Sequence, residues 1–580
     1  MNVSTNGSNR VGPRNFWRRG LLGGVLMAVG LVAATPSCSF VVDTSTEQCN
    51  ASIACPAGKS CVDGVCLAGA AGCATTDECV ADNGDFSYCR KTAGAEKGVC
   101  VALKSPLCDT VIGNYKAPDP FIFGSIHPTK APAAADADVG IAMEESIKLA
   151  LSELQKSAKG LPVPNDTARR EVVMIGCSDN AESADSVTAA KHLVNDVGVQ
   201  AVIGGAFSGI AIETTTQVTI PGKALFITAS GTSPAITDLS DKPTGAQYGL
   251  VWRTVPSDNF QAKAIAQYMS VVEASVRAEL NMPTDPIKVG VLHTSDAYGT
   301  GLRDALQPNL VFNGKKALDN GSNYFVVQYD DYTMDPPATY YAEAKDKAIM
   351  EGAHVIFMFG FSEAVNEVFA KIEIGWTATT HRPRYVFSDA VYGEALANAV
   401  NVGEADPVKR ADWRRRTTGV IPGPSDQDQL FKGFLVSYAS GMRPGDPSIF
   451  GAASAYDAAY LLFFAAASIT DGPITGVKLA EGMAKMSKAD PIEAVVNVGA
   501  AELPGALNKI SAGTYKSIDY NGAFGPLNFD AATGEPAANV QIYCLANDGT
   551  GKAKSQLSGA FYNADTDMLE ATEKIDTVCQ

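Results

Sequence analysis

From Pro118 to Tyr438 the chain alternates short apolar runs with amphipathic stripes, a texture open to few folds. Phe121-Ile-Phe123, Glu171-Val-Val-Met-Ile175, Ala201-Val202-Ile203 and Ala224-Leu-Phe-Ile227 have the length and branching of buried strands. Between them, Ile147, Leu151 and Leu154, then Val187, Ala190, Leu193, Val194 and Val197, then residues 210–218, recur at helical spacing. Strand–helix–strand alternation predicts a parallel sheet with helices on both faces. The same grammar restarts after Trp252-Arg-Thr-Val-Pro-Ser-Asp258. It predicts helices over 260–276, 301–310, 339–350 and 363–374, and strands over 288–292, 324–327, 355–358 and 385–387. After Gly419-Val-Ile-Pro-Gly-Pro424 come helical stretches at 430–438 and 452–467.

The expected fold class is therefore α/β, with two doubly wound parallel-sheet lobes joined by a multi-strand hinge. Residues 117–256 and 424–520 make the first lobe, 257–423 and 521–550 the second, and 551–580 a C-terminal tail. Two such lobes can close on whatever lies between them.

Residues 1–37 read as an export signal. Arg14, Arg18 and Arg19 precede an apolar run, 21–34, that is shorter and richer in glycine than a membrane-spanning helix. Arg18-Arg-Gly-Leu-Leu22 suits a twin-arginine signal or a plain basic n-region. Thr35-Pro-Ser-Cys38 resembles a bacterial lipoprotein cleavage site, with Thr35 where that pattern expects Leu. The resemblance makes Cys38 a lipidated first residue and the protein a membrane-anchored resident of the periplasm or cell envelope. Of 13 cysteines, setting Cys38 aside leaves an even set, as disulfide pairing in an exported protein requires.

Residues 38–108 hold a degenerate repeat, Cys49, Cys55, Cys61 and Cys66 in one copy, Cys73, Cys79, Cys89 and Cys100 in the second. Each copy has too few large apolar residues for a core, so two bridges apiece must staple it. The segment reads as a disulfide-stapled spacer. Cys108, Cys177, Cys544 and Cys579 remain for two more bridges, whose pairing the sequence leaves open.

Two loops carry the chemistry: Gly204-Gly-Ala-Phe-Ser-Gly209 and Ile227-Thr-Ala-Ser-Gly-Thr-Ser-Pro-Ala-Ile-Thr237. Each follows an apolar strand with small residues and hydroxyls, which let a ligand approach backbone N–H groups and side-chain oxygens. At the carboxyl ends of neighbouring parallel strands such loops line one crevice, suited to a small anion. Ser125-Ile-His-Pro128 is a third loop placed to reach it.

With Val202-Ile-Gly-Gly-Ala-Phe-Ser208, the second loop, Trp252 to Asp258, His293-x4-Tyr298-Gly-x-Gly301 and Ala455-Tyr-Asp-Ala458 in this order, the chain resembles the type I periplasmic solute-binding proteins. Within them it is similar to the branched-chain amino-acid (Leu/Ile/Val) binding group of ABC importers. The resemblance spans about Pro118 to Thr550. It implies that Ser208 and Thr232 hold a ligand carboxylate, and that the Ser230 carbonyl and the Asp389 carboxylate meet its ammonium. It also implies that Tyr298 and Phe361 line the pocket. Three departures leave the preference for leucine, isoleucine or valine open: Phe361 where other members have tyrosine, Asp389 in place of a glutamate, and Phe207 where a cysteine of the family's disulfide stands. Read as plain structure, Tyr298 is a core tyrosine, Asp389 a cap, Ser230 a turn former, and Asp457 structural.

The implied partners are a small amino-acid-like ligand and an ABC permease in the inner membrane, with the protein a monomer. The alternative is a ligand-sensing receptor that passes closure of the same lobes to a membrane partner. A net charge of −17 opposes nucleic acid as partner, because a phosphate binder needs a cationic face. Arg414-Arg-Arg416 reads as solvated surface. No enzyme, cofactor or metal is expected: Ala206 interrupts a dinucleotide fingerprint, Ile53 stands where the first glycine of a phosphate loop ending at Gly58-Lys-Ser60 would be, and no Gly-x-Ser-x-Gly elbow occurs. The five histidines are unpaired in sequence, and an amide hydrolase built on Ser208 or Ser230 is the remaining catalytic alternative.

Overall fold

The computed structural model describes residues 72–580 except 93, 165, 331–337, 379, 488–493 and 580, with the backbone of a hairpin formed by Lys59–Val62 and Val65–Ala68. The signal segment, Cys38, Cys49 and Cys55 lie outside the described residues, as do the side chains of Cys61 and Cys66.

The first lobe is built on strands β1 (Thr110–Ile112), β2 (Phe121–His127), β3 (Val172–Ser178), β4 (Ala201–Gly204), β5 (Leu225–Thr228) and β6 (Val251–Arg253). They lie in the order β6-β5-β4-β2-β3-β1, parallel except for β1 at the edge. Every residue of β2 and β3 is buried, as in a sheet covered on both faces. Phe121 and Phe123 point into one core cluster, Ile122 and Ile126 into the opposite one, following the two-residue alternation of a strand. Helix α1 (Ala134–Glu153) packs on the first of these faces beside α5 (Ala452–Ala467). All sixteen residues of α5 are buried, so it is apolar around nearly its whole circumference.

The second lobe carries β7 (Val289–Thr294), β8 (Tyr324–Tyr329), β9 (Val355–Phe359), β10 (Arg384–Phe387), β11 (Thr417–Pro422), β12 (Val540–Asn547), β13 (Ala553–Asn563) and β14 (Met568–Glu570). Their order is β8-β7-β9-β10-β11-β12-β13-β14; the first five are parallel and the last three add antiparallel. The chain enters this lobe through helix α3 (Asp258–Leu280), returns to the first lobe after β11, and re-enters at β12. The two-lobed α/β class read from the sequence holds.

Four details depart from the sequence reading. Residues 521–538 belong to the first lobe, because Ala523, Phe524, Leu527 and Phe529 complete its core. The buried Asp457 carboxylate anchors that stretch, accepting from Tyr520 Oη at 2.9 Å and from the N–H groups of Ala523 and Phe524 at 2.8 Å. Residues 551–580 are not a tail: β13 and β14 extend the second sheet, and Cys544 bonds to Cys579.

Arg416 is not solvated surface. It is 3% exposed and forks onto Glu373, with both N–O distances at 2.7 Å; Arg414 is also buried, and only Arg415 is exposed. Lastly, the second cysteine copy of the disulfide-stapled spacer, bridged Cys73–Cys89 and Cys79–Cys100, also packs on the first lobe, a contact the sequence did not suggest. Arg90 donates to the carbonyls of Asn195 and Asp196, Leu103 is buried in the first lobe, and Cys108–Cys177 ties the connection to β3. Among the described residues no helix is long and apolar enough to cross a membrane.

Candidate ligand-binding site

In both sheets the strand order reverses direction at one point, between β2 and β4 in the first lobe and between β7 and β9 in the second. Loops leaving the carboxyl ends of strands at such a switch point form a crevice. Here the two crevices meet in one cavity of about 460 Å³, roughly three times the ~150 Å³ void that admits a benzene ring. All six side chains implicated by the sequence line it: Ser208, Ser230 and Thr232 from the first lobe, and Tyr298, Phe361 and Asp389 from the second.

The first-lobe loops are held by bonds among themselves. Gly205 has φ +70°, and a Cβ there would lie 2.7 Å from that of Ala211, so the turn into helix α2 (Ser208–Thr214) needs glycine. Thr228 Oγ1 donates to Gly205 O and accepts from Gly231 N, both at 2.9 Å. Ser230 Oγ donates to Ala206 O at 2.7 Å, and Ser208 Oγ accepts from Ser233 N at 3.2 Å. Beneath them the buried Arg253 donates to the carbonyls of Thr232 at 3.2 Å and Ser233 at 3.0 Å, and its other arm meets Glu535 and Thr237 Oγ1. The guanidinium fork thereby fixes the loop backbone from behind.

The second lobe answers with an aromatic and acidic wall. Asp296 caps helix α4 (Ala297–Leu306) by accepting from Gly299 N, which starts that helix ahead of the 301–310 read from spacing and sets Tyr298 at its first turn. Tyr298 Oη donates to Asp389 Oδ1 at 2.5 Å, and Gln261 Nε2 donates to the same oxygen at 2.9 Å. Asp389 is 3% exposed. Burial raises its carboxyl above the ordinary range, against the pull of these two donors, and burial beside Asp389 raises the Tyr298 phenol. Tyr298 is thus both buried in the structure and part of the cavity wall.

Phe361 stands edge-on to Phe207 of the other lobe, with ring centroids 5.3 Å apart, and at the same distance from Tyr298. A further bridge between the lobes runs from Ser233 Oγ to Ala297 O at 2.7 Å. Gly301 makes room for it, since a Cβ there would sit 2.7 Å from Ser233 Oγ.

Ser125 and His127 do not reach the cavity as the sequence suggested. Both lie within strand β2 and are completely buried, and the first turns of α1, with Asp136 and Val139, line that side instead. The alanine-rich stretch that follows starts the helix at Ala134, in keeping with alanine's high helix propensity. The sequence reading also missed Arg253, Asp258 and Gln261 as supports and Tyr392 and Phe450 as walls. Arg253 and Asp258 lay within a quoted motif, but nothing in the sequence shows their partners.

Two α/β lobes with a ligand-sized cavity between their carboxyl edges have the fold of the type I periplasmic solute-binding proteins. In sequence the chain is 28% identical over 242 residues to a Leu/Ile/Val-binding protein homolog of Brucella melitensis, a match covering 41% of this chain. That match spans 54% of the relative, so the chain spans about half the length of that curated protein. Among solved structures, the branched-chain amino acid transporter substrate-binding protein of Streptococcus pneumoniae, in complex with isoleucine, superposes with a TM-score of 0.51 at 18% identity. It covers 76% of this chain and 99% of its own. An ABC transporter solute-binding protein of R. palustris, in complex with 4-hydroxybenzoate, gives 0.53 at 14% identity, covering 76% and 96%. No protein-family model matches the chain.

Proposed function

We propose that the protein is an extracytoplasmic solute-binding protein of an ABC importer, capturing a small amino-acid-like ligand between two closing lobes. One observation carries the reading: hydroxyl-bearing loops of one lobe and a buried acid of the other face each other across a single cavity. The Ser208 hydroxyl, already accepting from Ser233 N, retains its proton for a ligand carboxylate, and Thr232 stands beside it. Neutral donors bind a carboxylate firmly once water is excluded. Asp389 supplies the opposite charge for an ammonium, so both ends of a zwitterion are desolvated together. The walls of Phe207, Phe361, Tyr392 and Phe450 receive an apolar side chain.

Ligand contacts from both lobes favour the closed arrangement by population shift, and the closed form is what an ABC permease would engage. Export, and anchoring through a lipid on Cys38, belong to the same proposal. Binding rather than hydrolysis suits the serines: Ser208 and Ser230 bond to Ser233 N and Ala206 O, not to a histidine, among the described residues.

A thermal-shift screen of the exported form against amino acids, short amides, ureas and aromatic acids tests this, since a ligand raises the melting point by mass action. Stabilisation by at least one α-amino acid is expected. A panel in which only molecules without an ammonium stabilise the protein would contradict the reading.

A further inference from the structure

Asp258 opens the helix by which the chain passes into the second lobe, and its carboxyl is completely buried. Gln261 Nε2 donates to Asp258 Oδ1 and to Asp389 Oδ1, each at 2.9 Å. A single amide nitrogen therefore bridges two carboxyl groups, while Gln261 Oε1 accepts from Asp389 N at 3.1 Å. Asp258 Oδ2 has no hydrogen-bond partner.

The groups facing the pair are Thr232 and Arg253 from the first lobe, Tyr298 from α4, and Tyr543 on β12, whose hydroxyl donates to Ser388 O. Arg253 is the one cation among them, and its fork is committed to Glu535, Thr237 and two loop carbonyls. Two carboxyl groups buried this close, with so little compensating charge, do not both ionise at neutral pH. Burial raises both, and the Asp389 charge raises Asp258 further.

We propose that Asp258 and Asp389 share one proton in the empty protein, and that the ligand's ammonium takes that proton's place. The inference rests on the amino-acid reading of the site and deepens it: the ligand class is one bearing an ammonium, and acids without a cation are refused. As the ammonium enters, the shared proton leaves the acid pair for solvent, so the sum of the pair's and the ammonium's charge equals that of the pair alone before binding. The rest of the cavity agrees with this selection. Asp136, Asp138, Glu394 and Asp446 also line it, and no lysine or arginine is among its described lining residues.

The test uses the full chain with leucine as probe, titrated calorimetrically in buffers of different ionisation enthalpy from pH 5 to 8. Expected is release approaching one proton per leucine, with affinity rising up to about tenfold per pH unit until the pair is ionised. Asp258→Asn should abolish the release and flatten the profile. A ligand-free arm compares infrared spectra at neutral pH, where Asp258→Asn and Asp389→Asn should each lose protonated-carboxyl intensity relative to the parent.

Leucine binding without proton release, or tight binding of 4-hydroxybenzoate, overturns the proposal. So does an unchanged carboxyl signal in either folded variant. If no amino acid binds while the infrared difference is present, the acid pair stands and the amino-acid reading, with the ammonium exchange, falls.

Discussion

Replacing Arg253 should damage both stability and binding, although it touches no ligand in the site as drawn. The side chain is 2% exposed and donates to Thr232 O and Ser233 O while pairing with Glu535, itself only 16% exposed. Arg253→Met removes the cation but keeps the stem, leaving the largely buried Glu535 carboxylate with the Thr237 hydroxyl in place of a counter-charge, and Thr232 O and Ser233 O with only the N–H groups of Asp258 and Ile236. Breaking one side of a buried ion pair costs about 3–5 kcal/mol, and each hydrogen bond lost to a carbonyl about 1 kcal/mol. Relaxation of the loop recovers part of the sum, so a loss of about 4 kcal/mol in urea unfolding is expected.

Arg253→Lys keeps the charge but not the fork, and can serve Glu535 or the carbonyls but not both. It should lose roughly half as much. Because the carbonyls belong to Thr232 and Ser233, ligand affinity measured by calorimetry should fall in both variants, at least about tenfold or 1.4 kcal/mol in Arg253→Met. A loss of stability under about 1 kcal/mol, or native affinity in a folded Arg253→Met protein, would show that the loop does not depend on this support.

Further outcomes follow from other parts of the molecule. Asp389→Ala and Thr232→Val should each weaken amino-acid binding more than about tenfold without unfolding the protein, read by calorimetry alongside circular dichroism. His127 is fully buried with neither ring nitrogen partnered, and burial lowers its pKa to about 3. The unfolded chain takes up its proton near pH 6.5 while the folded one does not, so stability is lost as pH falls from about 6.5 towards 3, at up to about 1.4 kcal/mol per unit. Asp179 and Asp457, raised to about 7 by burial, act in the opposite sense, losing stability as pH rises from about 3.8 through 7. The effect is therefore read as the difference between parent and His127→Leu, which should grow towards acid in favour of the variant. Cys108→Ser with Cys177→Ser opens a loop of 69 residues and should cost about 4 kcal/mol in the chain-entropy picture, measured by urea unfolding under oxidising conditions.

The strands were legible because each is a short apolar run, several of them closed by glycine or serine, and the two hydroxyl loops because they follow such runs directly. What escaped the sequence depends on partners far away along the chain. Arg253 meets Glu535 at a separation of 282 residues and Arg416 meets Glu373 at 43, and no local pattern distinguishes such a buried arginine from a solvated one. The lobe boundary near 520 failed for a similar reason: the stretch after Tyr520 is held by Asp457, a residue the sequence could only class as structural. The helix start at Ala297, ahead of the 301 read from spacing, was missed because polar or small residues, not the apolar stripe, form the first turn.

The measurement that meets the central claim most directly is a crystal structure of the protein grown with whichever amino acid most raises its melting point. The ligand carboxylate should lie within hydrogen-bond reach of Ser208 and Thr232, with its ammonium at Asp389 and its side chain against Phe207 and Phe361. A ligand bound outside this cavity, or one inside it whose charged groups touch neither the hydroxyl loops nor Asp389, would contradict the account.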